Sequence, residues 1–356
     1  MRKLSALMLA TAVSMAALSH AFAEDWFPYD AAAVEPPFAA DGESVDVSYV
    51  PLEKASQPWN ICVSFPHMKD AYWLGVGYGV AEEAKRLGVR MNLVEADGYT
   101  ELARQISQIE NCVAGGAQAV VIGAISFDGL NNLVAELRRE DIPVIDVING
   151  ISSPEISAKS LVSFHTMGYE AGRYLAKRHP AGSEEVEVGW FPGPAGAGWV
   201  EAAHAGFNEA VADAAIKVLE PKFGDTGKEV QLKLVEDVLQ ANPGVRYIVG
   251  TAPTAEAAQG LIRERGLQGQ VELLSFYMTP GVYEGIQRGF ILASPADSMV
   301  IQGRIAIDQA VRILEGEDFI KHVGPKIFVV DPDNIADVSL TDILPPENYR
   351  PVFTVN

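Results

Sequence analysis

The chain has 356 residues, a formal net charge of −20 and a sequence pI of about 4.7. That length exceeds what one hydrophobic core usually supports, so about two domains are expected. The acidity excludes nucleic acid as a partner, because phosphate binding needs clustered Lys and Arg.

Met1-Arg2-Lys3, an apolar run from Leu4 to Leu18 and the ending Ala21-Phe22-Ala23 describe a secretory signal peptide cleaved before Glu24. That run is too short to span a bilayer. No later run reaches ~18 apolar residues, so a soluble exported protein is expected. Residues 24–58 hold several prolines and acids without periodicity and read as an extended segment on the surface.

From Trp59 the pattern becomes regular. Ile61–Phe65 is a strand, Trp73–Leu87 a helix ended by Gly88, and Arg90–Glu95 the next strand. Glu101–Ala114 is helical and stops at Gly115-Gly116; Ala119–Gly123 is an apolar strand, Leu130–Glu140 a helix and Pro143–Val147 another apolar strand. The rhythm restarts with a short strand at Leu161–Ser163 and a helix at Gly168–Arg178. Glu185–Phe191, a Gly-rich turn at Gly193–Gly198 and a helix at Trp199–Val211 follow. Lys217–Phe223, Val230–Ala241, Tyr247–Gly250, Thr254–Arg265 and Leu273–Phe276 continue the alternation. Pro280–Gly289 and Met299–Glu315 are helices, Ile291–Ser294 and Lys326–Val330 strands, with a brief last strand at Val352–Val355.

Strands alternating with helices of this length mean crossover units and parallel sheets. The fold class is α/β, with two doubly wound parallel-sheet lobes joined by a three-strand hinge. The expected boundaries are 59–163 plus 297–325 for one lobe and 164–296 plus 326–356 for the other. The passages are short, near Ser163-Phe164, Ala296-Asp297 and Gly324-Pro325, which suits a hinge rather than a tether. The cleft between such lobes is the natural ligand site.

Catalytic patterns are missing. There is no Gly-x-Ser-x-Gly elbow and no His-Glu-x-x-His, and Cys62 and Cys112 alone make no zinc framework. The two cysteines either pair, as export permits, or stay as buried free thiols. The loop 193–198 sits where a phosphate loop would, but lacks the Gly-Lys-Ser/Thr ending and is followed by Glu201, which would repel phosphate. His67 and His165 could reach a cleft, yet a lone loop histidine is more often a hydrogen-bonded surface residue. No enzyme activity, cofactor or metal is expected.

What recurs at the strand-to-helix edges is a set of aromatic and acidic residues. Asp70, Tyr72, Trp73 and Tyr99 come from the first half; Phe164, Trp199, Glu201 and Tyr277 from the second; Asp297 lies at a passage. Singly, each ring reads equally well as core packing. Together at one edge, they suit a methylated cation held on ring faces beside a carboxylate. A ligand oxygen would take its hydrogen bond from Tyr72, Tyr99 or Tyr277.

From Trp59 to about Val330 the chain resembles the type I periplasmic binding proteins, the ribose-binding group in particular. The resemblance is carried by Ser64…Asp70-Ala-Tyr-Trp73, by Glu110-Asn-Cys-Val-Ala-Gly-Gly-Ala-Gln-Ala-Val-Val-Ile-Gly123 and by Met167-Gly-Tyr-Glu-Ala-Gly172. Gly198-Trp…Ala205-Gly-Phe207 and Leu274-Ser-Phe-Tyr-Met-Thr-Pro280…Gly289 complete it. Where sugar binders of the family show paired phenylalanines, an arginine and an aspartate, this chain aligns Tyr72-Trp73, Glu201 and Tyr277. Asp70-Ala-Tyr-Trp73, Tyr99 and the helix from Met167 look like the family's branch of trimethylamine N-oxide sensors, with Phe164 where that branch carries a tryptophan. The resemblance implies a ligand of that class between the lobes and a membrane sensor histidine kinase as partner. An ABC permease importing a sugar or small amine is the alternative partner.

Overall fold

The computed structural model describes residues 26–39 and 42–356. The expected signal peptide, residues 1–23, lies outside the described residues. In chain order the elements begin with β1 (Tyr29–Glu35), β2 (Glu43–Tyr49), β3 (Asn60–Phe65), α1 (Ala71–Leu87), β4 (Arg90–Glu95) and α2 (Leu102–Ala114). Then come β5 (Ala119–Ile122), α3 (Asn131–Arg139), β6 (Val144–Val147), β7 (Ala158–Ser160), α4 (Phe164–Arg178), β8 (Val186–Phe191) and α5 (Gly198–Val211). β9 (Ile216–Val218), α6 (Lys228–Ala241), β10 (Val245–Gly250), α7 (Ala252–Glu264), β11 (Glu272–Ser275) and α8 (Pro280–Gln287) follow. The chain ends with β12 (Ser294–Ala296), α9 (Met299–Glu315), β13 (His322–Pro325), β14 (Phe328–Val330), α10 (Leu340–Ile343) and β15 (Thr354–Val355).

Two sheets organise the molecule. The larger has the order β15-β4-β3-β5-β6-β7-β13-β1-β2, and the smaller β11-β10-β8-β9. From β4 to β13 the large sheet is parallel, as is the whole of the small one. Both therefore carry the same doubly wound order, in which the first strand of the unit lies between the second and the third. The crevice at such a reversal opens at the C-terminal ends of the strands. In the large sheet it falls between β3 and β5, and in the small sheet between β8 and β10. The buried stretch Ile61–Phe65 of β3 explains why that strand is central: both its faces are covered.

The chain leaves the large sheet after β7, returns after β12, leaves again after β13 for the short pair β12-β14 at the passages, and returns once more to end as β15. α4 begins at Phe164 rather than Gly168, because Ser163 caps it: its Oγ accepts from the Thr166 N–H at 3.1 Å. The strand expected at 161–163 lies three residues earlier, as β7. β12 likewise falls a few residues later than expected, and β13 was not anticipated.

The described part of the expected surface segment, residues 26–39 and 42–58, is not simply extended. β1 and β2 form an antiparallel hairpin that extends the large sheet by pairing with β13. Ala31 and Ala33 alternate inward on β1, a two-residue period too weak to stand out in the sequence. The C-terminal tail, expected with the second lobe, ends on the first: β15 pairs antiparallel with β4. Cys62 and Cys112 form a disulfide joining β3 to α2, with Cα atoms 6.0 Å apart. Among the described residues no helix is long and apolar enough to cross a membrane.

α4 and α5 touch backbone to backbone. A Cβ on Gly168 would lie 2.0 Å from the Ala203 carbonyl oxygen, and one on Gly206 the same distance from that of His165. Gly168→Ala is therefore expected to push the helices apart and lower stability by about 1–3 kcal/mol. Urea unfolding of the variant checks this; an unchanged midpoint would show that the contact is not needed.

Candidate functional site

Seven of the nine residues picked out in the sequence line one cavity: Asp70, Tyr72, Trp73, Tyr99, Phe164, Trp199 and Tyr277. Ile148, Asn149 and Thr226 complete the lining. The fold explains the gathering. Asp70, Tyr72 and Trp73 follow β3, Tyr99 follows β4, and Ile148 and Asn149 follow β6. Trp199 follows β8, Thr226 follows β9, and Tyr277 follows β11. All lie at strand C-terminal ends, and the two sheets present those ends to each other.

Asp70 caps α1, its Oδ1 accepting from the Trp73 N–H at 3.0 Å. That bond fixes the start of the helix and so aims the two rings that follow. The Trp73 ring closely approaches Gly123, where a Cβ would come within 2.3 Å of it, and packs against Phe65 with centroids 4.7 Å apart. Tyr72 meets Tyr277 of the other lobe edge-on at 5.1 Å. Tyr99 meets Trp199 at 6.1 Å, and Trp199 in turn touches Phe164 at 5.6 Å and Tyr277 at 6.2 Å. Rings from both lobes thus form most of the wall.

The polar groups are few and mostly committed. The Tyr72 hydroxyl donates to Oδ2 of Asp297, which also accepts from Gln302 Nε2 at 2.9 Å. Asp297 thus reaches the cavity only through Tyr72. Burial pushes its carboxyl up, with the bonds from Tyr72 and Gln302 pulling against it. Asn149 donates to the Tyr99 hydroxyl at 3.0 Å and to the Ala124 carbonyl at 2.7 Å. Burial also raises the hydroxyls of Tyr72, Tyr99 and Tyr277, keeping them as neutral donors. The carboxyl of Asp70 is raised by burial, against the pull of His67 and of the Trp73 N–H. Trp199 Nε1 is buried and makes no close hydrogen bond; the Tyr99 hydroxyl is the polar group that feels its N–H. A buried donor left unpaired costs about 1–3 kcal/mol.

Glu201 is not part of this arrangement. It is exposed on α5, two positions past Trp199 and so on the other side of the helix. His67, expected at the surface, is fully buried, and its Nε2 lies 3.0 Å from the Thr226 hydroxyl of the other lobe. Asn149 and Thr226 were not foreseen. Small polar residues at loop positions carry no periodic signal.

The cavity is small, with an empty volume of about 260 Å³ that includes its mouth. Such a site takes a small molecule. Rings around it favour methyl groups that bear partial positive charge, Asp70 adds a carboxyl, and the indole N–H of Trp199 asks for an acceptor.

Residues 61–318 match the periplasmic binding protein domain. Periplasmic protein TorT of Escherichia coli (strain K12) is 36% identical over 302 residues, 84% of this chain and 86% of that protein. The crystal structure of an ABC transporter solute binding protein from Bradyrhizobium sp. BTAi1 with bound Bis-Tris superposes with a TM-score of 0.80 at 75% identity. It covers 92% of this chain and 99% of that one. TorT in the crystal structure of the TorS sensor domain–TorT complex in the presence of TMAO gives a TM-score of 0.75 at 33% identity, over 83% of this chain and 99% of that one.

Proposed function

The chain belongs to the type I periplasmic binding protein family, and from that premise we propose that it is a periplasmic sensor of trimethylamine N-oxide or a close relative. The ligand sits in the cavity between the lobes. A membrane sensor histidine kinase reads the closed form, and residues 1–23 direct export. The observation that carries this reading is the Trp199 N–H, buried without a close hydrogen bond inside a box of rings. An N-oxide presents methyl groups on one side and a single strong acceptor on the other. The methyls lie against Tyr72, Trp73, Tyr99 and Tyr277, and the oxygen accepts from Trp199. A pentose is bulkier and carries hydroxyls on every side, and walls made mostly of rings leave most of them unpaired.

The relatives bear on the same ligand class. A TorT about one third identical was crystallised with TMAO present; the Bradyrhizobium protein holds Bis-Tris, a tertiary amine that is larger than a pentose and rich in hydroxyls, and so shares only the amine with that ligand. Contact with both lobes favours the closed form by the ligand's differential affinity for it. Titration calorimetry in a buffer free of Bis-Tris should give saturable heat with trimethylamine N-oxide; no heat up to millimolar ligand would end the assignment. Trp199→Phe keeps the ring and removes the N–H, and is expected to weaken binding about tenfold. Equal affinity would place the ligand oxygen elsewhere.

A second reading follows from the Bradyrhizobium relative, which is described as an ABC transporter component. In it the same cavity delivers an amine or sugar to a permease. Co-purification with a permease rather than with a sensor kinase, or fluorescence quenching by pentoses, favours that reading.

A further inference from the structure

We propose that His67 is a positioning residue that latches the two lobes shut, through a hydrogen bond to Thr226 across the cleft, without touching the ligand. The inference rests on the cavity being the ligand site, as proposed above, and adds the element that sets how readily it closes.

His67 lies in the loop between β3 and α1, on the first lobe, and Thr226 between β9 and α6, on the second. They are 159 positions apart in sequence, and their Nε2 and Oγ1 atoms are 3.0 Å apart. The tautomer follows from the other ring nitrogen. The Lys69 backbone N–H donates to His67 Nδ1 at 3.3 Å, so Nδ1 is an acceptor and a neutral ring carries its proton on Nε2. Nε2–H therefore donates to the Thr226 hydroxyl. That leaves the hydroxyl's own proton free, and the nearby Asp70 carboxyl feels it as a stabilising hydrogen bond. Asp70 Oδ2 is 3.9 Å from Nε2, so ring, hydroxyl and carboxyl form one cluster at the cavity wall.

Both halves of the latch are fixed before they meet. On the second lobe, Gln231 is fully buried and donates to the carbonyls of Gly224 and Asp225, at 3.2 and 2.8 Å. Its own oxygen accepts from Thr254 at 2.8 Å, which ties the 224–226 loop to α7. On the first lobe, the Lys69 N–H orients the imidazole. A preset donor and acceptor lose little freedom on pairing, so the bond's net value goes into closure. When the lobes part, both groups return to water. The bond therefore weights only the closed state, and apparent affinity scales with the closed fraction.

The test uses the full mature protein with His67→Leu, His67→Gln, Thr226→Val and the Leu/Val double variant. Trimethylamine N-oxide affinity is measured by calorimetry, and the radius of gyration by solution scattering with and without ligand. His67→Leu is expected to weaken binding about fivefold and to enlarge the ligand-free protein. The double variant should be no worse than Thr226→Val alone, because both remove one bond. His67→Gln retains an N–H donor at the same reach and should recover most of the affinity. Additive losses in the double variant would overturn the latch. So would unchanged affinity and radius in His67→Leu, or a lower melting temperature as its only effect. If the wild-type protein takes up no trimethylamine N-oxide, the ligand reading fails, and the ligand-free radius decides the latch alone.

Discussion

Replacing Trp73 by alanine is expected to weaken trimethylamine N-oxide binding a hundredfold or more, measured by titration calorimetry. The ring supplies a cavity wall and is only 2% exposed, so methyl groups bound against it would be fully desolvated. A cation over an aromatic face in such surroundings gains ~2 kcal/mol or more. Removing the ring also opens the cavity, admits water and takes away apolar contact. The same substitution will cost about 3–5 kcal/mol of stability, because the ring is core as well as wall. It fills the space above Gly123 and packs on Phe65. Two measurements therefore go together: a melting curve showing that the variant is folded at the titration temperature, and the titration itself. Trp73→Phe, which keeps a smaller ring, should retain part of the affinity. A folded Trp73→Ala protein that binds within threefold of wild type would show that the ligand lies elsewhere.

Much of this site was legible because one rule places it. Once strands and helices alternate, residues just past a strand's end face the crevice at the sheet's reversal. That rule alone selects Asp70, Tyr72, Trp73, Tyr99, Trp199 and Tyr277, which the structure brings together. Glu201 failed for a local reason that helical period contains: two positions past an inward Trp199 is the outward face. His67 failed for a distant one. Its burial depends on Thr226, far along the chain, and no window of neighbouring residues reports that pairing. Asn149 is similar: its amide joins the Ala124 carbonyl to the Tyr99 hydroxyl, a bridge that exists only after three loops converge. The N-terminal hairpin was illegible because β2 is an edge strand with mostly exposed residues, so nothing forces alternation upon it. The central elements were the easiest. α9 spans Met299–Glu315, the range its apolar period marks out, since nearly all of its first thirteen residues are buried.

In the sequence Asp70 and Asp297 read as carboxylates beside the ligand. The geometry commits one Asp70 oxygen to the helix cap and one Asp297 oxygen to Tyr72 and Gln302. Carboxylates so engaged orient rings. The Tyr72 ring, held through its hydroxyl by Asp297, lines the cavity. If the proposed N-oxide takes its hydrogen bond from Trp199, the donor comes from the other lobe than Trp73, and the ligand's polar end is thereby coupled to closure.

Removing the disulfide should be the largest change in stability that leaves the cavity's own residues intact. The bond joins β3, the strand that delivers Asp70, Tyr72 and Trp73, to α2, across a sequence separation of 50 residues. In the chain-entropy treatment a loop of that length restricts the unfolded chain by about 4 kcal/mol. The double variant Cys62→Ala/Cys112→Ala is the cleanest test, since Cys62 is buried in an apolar cluster where serine would leave a hydroxyl unpaired. Urea unfolding should show a lower midpoint by that amount, and phosphine reduction of the wild type should reproduce it. Affinity for trimethylamine N-oxide at low temperature should stay unchanged, because neither cysteine lines the cavity. A loss below ~1 kcal/mol would mean that the unfolded chain is already compact around β3 and α2 without the bond. A large loss of affinity in a folded variant would mean instead that the bond sets the aim of the β3 edge.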